Sequence, residues 1–175
     1  FAANRSGDVW RTKNSGKNWS QIGSDSIVIN GQQSFMWIAI SPEFITDRLI
    51  FVGTNNGIYR SGNGGDSWKP LLHSNVGPST VIEQIEFSPA FAEDRIIFVT
   101  VRGKGLYRVS LNNAGWITAM QNMGTSLLGK NVQFIEFRIS PNFKQDNTLI
   151  GVSRNELYIS TDRGLTWSLT GSPVQ

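Results

Sequence analysis

An all-β architecture built from a repeated four-stranded sheet is what this sequence predicts, on three observations. A tryptophan-bearing octet returns four times: TKNSGKNW at 12–19, SGNGGDSW at 61–68, a shortened SLNNAGW at 110–116 and STDRGLTW at 160–167. The tryptophans Trp19, Trp68, Trp116 and Trp167 stand 49, 48 and 51 residues apart. A second motif keeps the same beat, SPEFITDRLIFVGT from Ser41, SPAFAEDRIIFVTV from Ser88 and SPNFKQDNTLIGVS from Ser140, and a third, GIYRS, GLYRV or ELYIS, follows each. A period of about fifty residues is the mark of a repeat architecture.

Each repeat reads as four strands. The first ends just before Ser-Pro, as at Gln84 to Phe87. The second is the apolar run, Ile50 to Thr54 or Ile96 to Val101, whose near-continuous hydrophobicity means burial on both faces. TNNG and RGKG then mark tight turns into the short Gly-x-Tyr strand. The fourth strand begins at the octet tryptophan. No stretch carries a helical period, which excludes a helical solenoid. Four antiparallel strands per repeat are the signature of a β-propeller blade. The opening FAANRSGDVWRT matches the end of such a unit, with Trp10 in the tyrosine column. The expectation is one partial β-propeller spanning 1–175, with repeats at about 1–23 (partial), 35–73, 82–120 and 133–172.

Composition agrees and narrows the function. With 175 residues, 39% hydrophobic and 17% charged, the chain is globular. Eighteen glycines and ten phenylalanines favour strands and tight turns. No cysteine is present, so disulfide and thiolate chemistry are out. A net charge of +3 does not argue for nucleic acid, and no apolar run approaches the roughly 18 residues of a membrane helix. The chain opens without Met, a basic n-region or a signal h-region, as a mature product or a fragment does.

The octet resembles the Asp-box, or BNR, pattern Ser/Thr-x-Asp-x-Gly-x-Thr-Trp of sialidases, sortilin-type receptors, xyloglucanases and photosystem II assembly factors, all β-propellers. The resemblance covers essentially the whole chain and implies that each octet is the turn between a blade's third and fourth strands. The chemistry suits a turn. An Asp or Asn side chain accepts nearby backbone N–H groups, Gly supplies positive φ, and Ser or Thr satisfies another local group. The tryptophan ring then buries between neighbouring blades, its N–H needing one partner. The residues assigned to this structural role are Asn14, Gly16, Trp19, Asn63, Gly65, Trp68, Asn112, Trp116, Asp162, Gly164 and Trp167. Asn replaces the pattern's Asp in three of the four octets. The third has lost a residue and its Thr, so a distorted turn is expected there. The compartment is not fixed; the resemblance favours an extracytoplasmic or secreted one.

Residues that recur in a column do a blade's job, whereas an active site is singular. Asp47, Asp94 and Asp146, each five residues after a Ser-Pro proline, are therefore structural. Phe44, Phe91 and Phe143 form a core column, and Tyr59, Tyr107 and Tyr158, all the tyrosines present, form another. A sialidase needs a tyrosine nucleophile, which these columns leave unavailable. The FRISP of 137–141 echoes a sialidase Arg-Ile-Pro motif, but Arg138 shares its column with Ala39 and Glu86. Xyloglucanases use two aspartates across a cleft between two propellers, which part of one propeller does not build. His73 beside Ser74 lacks an orienting carboxylate. No catalytic constellation, cofactor site or metal site is expected.

The exceptions lie on one face. Propeller geometry brings the second-to-third-strand turns together with the long fourth-to-first-strand loops, opposite the octets. These segments carry Arg5, Asn55, Asn56, Arg102, Lys104, Lys130 and Arg154. Loops on a rigid scaffold are where binding usually lives, and a basic face favours an acidic partner. Trp37 breaks a column otherwise held by Gln84 and Glu136; it is either an exposed stacking or anchoring ring or a filler against Met36 and Ile38. The leading expectation is a non-enzymatic binding or scaffolding module for a protein partner, with Arg5, Arg102, Lys104, Lys130, Arg154 and Trp37 as contact residues. The rivals are a fragment of a glycan-active enzyme and a carbohydrate-binding module centred on Trp37. The open ends of an unfinished ring are covered by further blades of a longer chain, by copies of this chain or by subunits of a larger complex.

Overall fold

The computed structural model describes residues 1–4, 8–22, 35–71, 79–123 and 132–171. Within them the chain forms four antiparallel sheets, each a meander in sequence order. The first holds β1 (Ala2–Ala3), β2 (Val9–Arg11) and β3 (Ser20–Ile22). The second holds β4 (Phe35–Ile40), β5 (Ile50–Thr54), β6 (Gly57–Ser61) and β7 (Lys69–Leu71). The third holds β8 (Ile82–Phe87), β9 (Ile96–Val101), β10 (Gly105–Leu111) and β11 (Ile117–Asn122). The fourth holds β12 (Glu136–Ile139), β13 (Leu149–Val152), β14 (Leu157–Ser160) and β15 (Ser168–Gly171). β5 and β9 are buried along their whole length, as a strand covered on both faces must be.

The Ser-Pro segments depart from the sequence reading, which placed no helix. Each contains one helical turn: α1 (Phe44–Asp47), α2 (Phe91–Asp94) and α3 (Phe143–Asp146). A single turn is too short to show a 3.6-residue period. The aspartate column fastens it. Ser41 Oγ donates to Asp47 at 2.7 Å and the Leu49 amide at 2.9 Å. Ser88 and Ile96 bind Asp94 in the same way, and Ser140 and Thr148 bind Asp146. Guanidinium groups then tie sheet to sheet: Arg95 reaches back to Asp47 at 3.8 Å, and Arg163 to Asp94 at 3.9 Å.

The octets are hydrogen-bonded turns. The opening hydroxyl accepts the glycine amide, Thr12 from Gly16, Ser61 from Gly65 and Ser160 from Gly164. The third side chain accepts an amide four residues on: Asn14 from Asn18, Asn63 from Ser67, Asp162 from Thr166. In the shortened octet the donor to Asn112 is Trp116 itself, and the β10–β11 register slips between Ser110 and Leu111. The missing residue is thus absorbed as a bulge.

Asp162 is the one carboxylate at the third octet position. Burial works against its charge, but hydrogen bonds from the Thr166 hydroxyl and amide, the Ser160 hydroxyl and the Leu165 amide outweigh burial and hold its pKa below the usual range. A depressed folded pKa contributes stability above the unfolded value near 4, lost as pH falls through the folded value. An amide serves the same turn elsewhere, since Asn63 Nδ2 donates to Ser67 Oγ at 2.9 Å. Asp162→Asn is therefore expected to change the unfolding free energy by about 1 kcal/mol or less at neutral pH and to flatten the acid limb of stability. Urea unfolding across about pH 3 to 7 checks both.

Successive sheets meet through three apolar clusters. Val9 and Ile22 of the first sheet pack on Ile50, Val52, Tyr59 and Trp68 of the second. Leu49, Phe51 and Ile58 of the second meet Ile97, Val99 and Tyr107 of the third. Ile96, Phe98 and Leu106 of the third meet Leu149, Tyr158 and Trp167 of the fourth. The octet tryptophan therefore points at the preceding sheet. Trp116 lies under the second sheet's Arg60 guanidinium at 4.8 Å. The octet glycines share this polarity: a Cβ added to Gly65, Gly115 or Gly164 would meet Ile22, Leu49 or Met123 of the sheet before, whereas Gly16 faces open space.

Two tryptophan expectations need correction. Trp19 is 44% exposed, because no described sheet lies on that side of the first. Trp68 is buried, but its indole N–H has no partner among the described residues, while Trp19 and Trp167 donate to the carbonyls of Gly16 and Gly164. Phe44 is only partly buried, unlike Phe91 and Phe143, and leans edge-on against Phe1 at 5.4 Å.

Candidate functional site

Opposite the octets, the β5–β6, β9–β10 and β13–β14 turns emerge beside the segments that enter β8 and β12. Backbone bonds hold them together. The Gly57 amide donates to Thr80 O at 2.7 Å and the Arg102 amide to Val81 O at 2.9 Å. Gln133 Nε2 donates to Gly103 O at 3.1 Å. On the other edge, the Leu111 and Arg163 amides bond the octet strands to the carbonyls of Arg95 and Asn147 after the helical turns.

On this loop face a groove of about 760 Å³ runs between the third and fourth sheets, lined by Glu83, Arg102, Gln133, Ile135, Arg154 and Glu156 among others. Arg102 Nε donates to Glu83 at 2.8 Å. Arg154 is exposed and makes no ion pair among the described residues. Ile135 is exposed as well, an apolar ledge in a polar rim. At the back wall Tyr158 donates its hydroxyl to Glu156. That bond first, then burial, pushes the Tyr158 pKa up to about 12. The phenol stays protonated at neutral pH.

Of the residues the sequence singled out, the structure brings Arg102 and Arg154 into this groove. Lys104 is exposed on the same β9–β10 turn, its carbonyl accepting Asn122 Nδ2 at 2.9 Å. Arg5 and Lys130 lie outside the described residues, as do His73 and Ser74. Trp37 is on β4, 37% exposed, opposite Gly53, and does not line the groove. Arg138 is exposed and pairs with Glu136.

Sequence reasoning missed Glu83, Ile135 and Glu156. The column comparison held the signal: Glu156 stands where the other repeats have Gly57 and Gly105, and Glu83 where they have Met36 and Ile135. Both are one-off carboxylates on the variable face. Two such carboxylates do line one groove, one held by Arg102 and the other by Tyr158. The groove is consequently of mixed sign rather than basic. Among the described residues no group of three His, Cys, Asp or Glu side chains could hold a metal, and no helix is long and apolar enough to cross a membrane.

No protein-family model matches the sequence, and no curated protein matches it. Solved structures do match. YCF48 from Cyanidioschyzon merolae aligns over 98% of this chain at 21% identity with a TM-score of 0.67. A YCF48 bound to D1 peptide aligns over 94% at 20% identity and a TM-score of 0.60. An ancestral GH74 enzyme aligns over 99% at 21% identity and a TM-score of 0.68. The chain spans about half the length of the two YCF48 chains, 53% and 47%, and 22% of the GH74 enzyme. At this identity the likeness shows the fold alone. The chain is an all-β protein of β-propeller architecture, with three four-stranded sheets and one three-stranded sheet among its described residues.

Proposed function

We propose that this chain is an Asp-box propeller module without catalytic activity of its own, which engages a protein partner in the groove between its third and fourth sheets. One observation carries the reading: Arg154, exposed and without an ion pair among the described residues, and an exposed Ile135 share one groove with the Glu83–Arg102 ion pair. An apolar ledge ringed by charges of both signs fits a polypeptide segment that carries an acidic residue beside a hydrophobic one. The two carboxylates there are spoken for by Arg102 and Tyr158, which suits recognition better than proton transfer. The solved YCF48 bound to D1 peptide gives this reading a precedent at the level of fold.

Capture of partner proteins by the immobilised chain tests it. An Arg102→Glu, Lys104→Glu variant and an Arg154→Glu variant are each expected to weaken a specific capture by about tenfold or more, with stability lowered by no more than the roughly 1 kcal/mol of the exposed Glu83–Arg102 pair in the first and unchanged in the second. Capture that survives both variants removes the groove from the proposal. The half-exposed Trp37 supports a second reading, a glycan platform. Glycan-array binding abolished by Trp37→Ala, with protein capture intact, decides in its favour.

A further inference from the structure

We infer that a β-bulge repeated in the first strand of each four-stranded sheet sets what the groove reads, so that its two bulge residues, Glu83 and Ile135, determine specificity; this rests on the reading of the groove as a peptide site. In β4 the pairing with β5 steps from Phe35 opposite Thr54 to Trp37 opposite Gly53, and Met36 is left over. In β8 the pairing with β9 steps from Ile82 opposite Val101 to Gln84 opposite Thr100, and Glu83 is left over. At the start of β12 the Ile135 amide donates at 2.9 Å to the carbonyl of Val152, the residue that Glu136 already faces. Two residues thus stand against one in all three sheets, the geometry of a bulge. The extra residue is each time the fifth before the serine of Ser-Pro.

The backbone device recurs, but its residue does not: the column holds a thioether, a carboxylate and an aliphatic side chain in turn. A side chain that the bulge itself required would recur, as the Ser-Pro aspartates do. A bulge takes its extra residue out of the ladder and re-aims its side chain. Here Glu83 and Ile135 both end up lining the groove. The residue after the bulge serves the scaffold instead, since Gln84 is buried and donates to Phe137 O of the following sheet at 3.2 Å. The fold therefore keeps one position per sheet where geometry is constant and chemistry varies, which is how a rigid scaffold carries recognition.

Each position reads one residue of the bound segment. Ile135 is aliphatic and favours an apolar side chain. Glu83 accepts from Arg102 Nε at 2.8 Å, and neither side chain makes another bond among the described residues. A carboxylate oxygen and guanidinium N–H groups therefore stand side by side. That is the complement of a side-chain amide, which carries both a donor and an acceptor. Arg154, from the β13–β14 turn, takes an acidic residue. The segment that fits carries Asn or Gln for the Glu83–Arg102 pair, an apolar residue for Ile135 and Asp or Glu for Arg154.

Selection of a displayed random-peptide library on the intact chain tests this, followed by fluorescence anisotropy with the consensus peptide. Two variants move bulge side chains between repeats, Glu83→Met and Ile135→Glu. Each incoming residue type already stands at the same bulge of another repeat, so thermal unfolding is expected to stay at the wild-type value. On the wild-type chain, selection is expected to enrich the three residue classes together. In Glu83→Met, Arg102 is left as a lone cation and the amide gives way to Asp or Glu; in Ile135→Glu the apolar residue gives way to Lys or Arg. Each variant weakens the wild-type consensus peptide by about tenfold or more, and a peptide altered at that one residue recovers the loss. Arg154→Glu separates the two levels of the account. Peptides that Arg154→Glu releases but both bulge variants bind as the wild type does overturn this inference and leave the groove as the peptide site. No enrichment on the wild-type chain, or enrichment indifferent to Arg154→Glu, overturns both.

Discussion

Trp167→Ala is expected to lower the unfolding free energy by about 3–5 kcal/mol, and Trp19→Ala by about 1 kcal/mol or less, although both residues close the same octet and donate the same indole hydrogen bond. The difference is the neighbouring sheet. Trp167 is 7% exposed and lies 4.6 Å from the Phe134 ring, within the cluster that joins the third and fourth sheets. Its removal opens a cavity beside Phe134, in the cluster that also holds Phe98 and Leu106 of the third sheet. No described sheet lies against Trp19, which is 44% exposed, so its truncation forfeits little beyond the bond from Nε1 to the Gly16 carbonyl. Chemical denaturation of dilute protein, where any self-association is negligible, measures both. Equal losses would mean that octet tryptophans act within their own turn and not between sheets.

Gly164→Ala carries the second large effect, and Gly16→Ala is its control. Both glycines sit at positive φ, +82° and +87°, where an L side chain costs about 1–2 kcal/mol. There the likeness ends. A Cβ at Gly164 would lie 1.6 Å from Met123 Cε, the end of a flexible but buried side chain, and 3.1 Å from Leu149 Cδ1, adding about 1–2 kcal/mol of overpacking. Gly16 has nothing within 4 Å of that position. The expected losses are therefore about 2–4 kcal/mol against about 1–2 kcal/mol. The same denaturation experiment reads the gap between them, which isolates contact with the preceding sheet from backbone strain.

The fold was readable because the repeat multiplies weak signals. One apolar pentapeptide such as Ile50–Thr54 is ambiguous, but its return in register with an octet and a Ser-Pro segment is not. The aspartate and tyrosine columns were legible for the same reason. What stayed hidden was contact across repeats. Nothing in the octet TKNSGKNW says that Trp19 is exposed while Trp68 and Trp167 are buried; that follows from which described sheet lies against each. The single helical turns at Phe44, Phe91 and Phe143 were too short to print a period. The groove was half legible. Arg102 and Arg154 stood out as variable turn residues, but Glu83 and Glu156 became a site only when the β8 entry and the β13–β14 turn converged from more than seventy residues apart. Their engagement by Arg102 and Tyr158 is a geometric fact with no sequence pattern behind it.

Oxidative footprinting of the chain, free and bound to its captured partner, addresses the division of labour most directly. The account has recurring columns building the sheets and non-recurring residues on the opposite rim doing the binding. It predicts protection at Ile135, at the β9–β10 turn and at Arg154 to Glu156, with no change at the four octets. Protection of the octets while the groove stays fully reactive would contradict it.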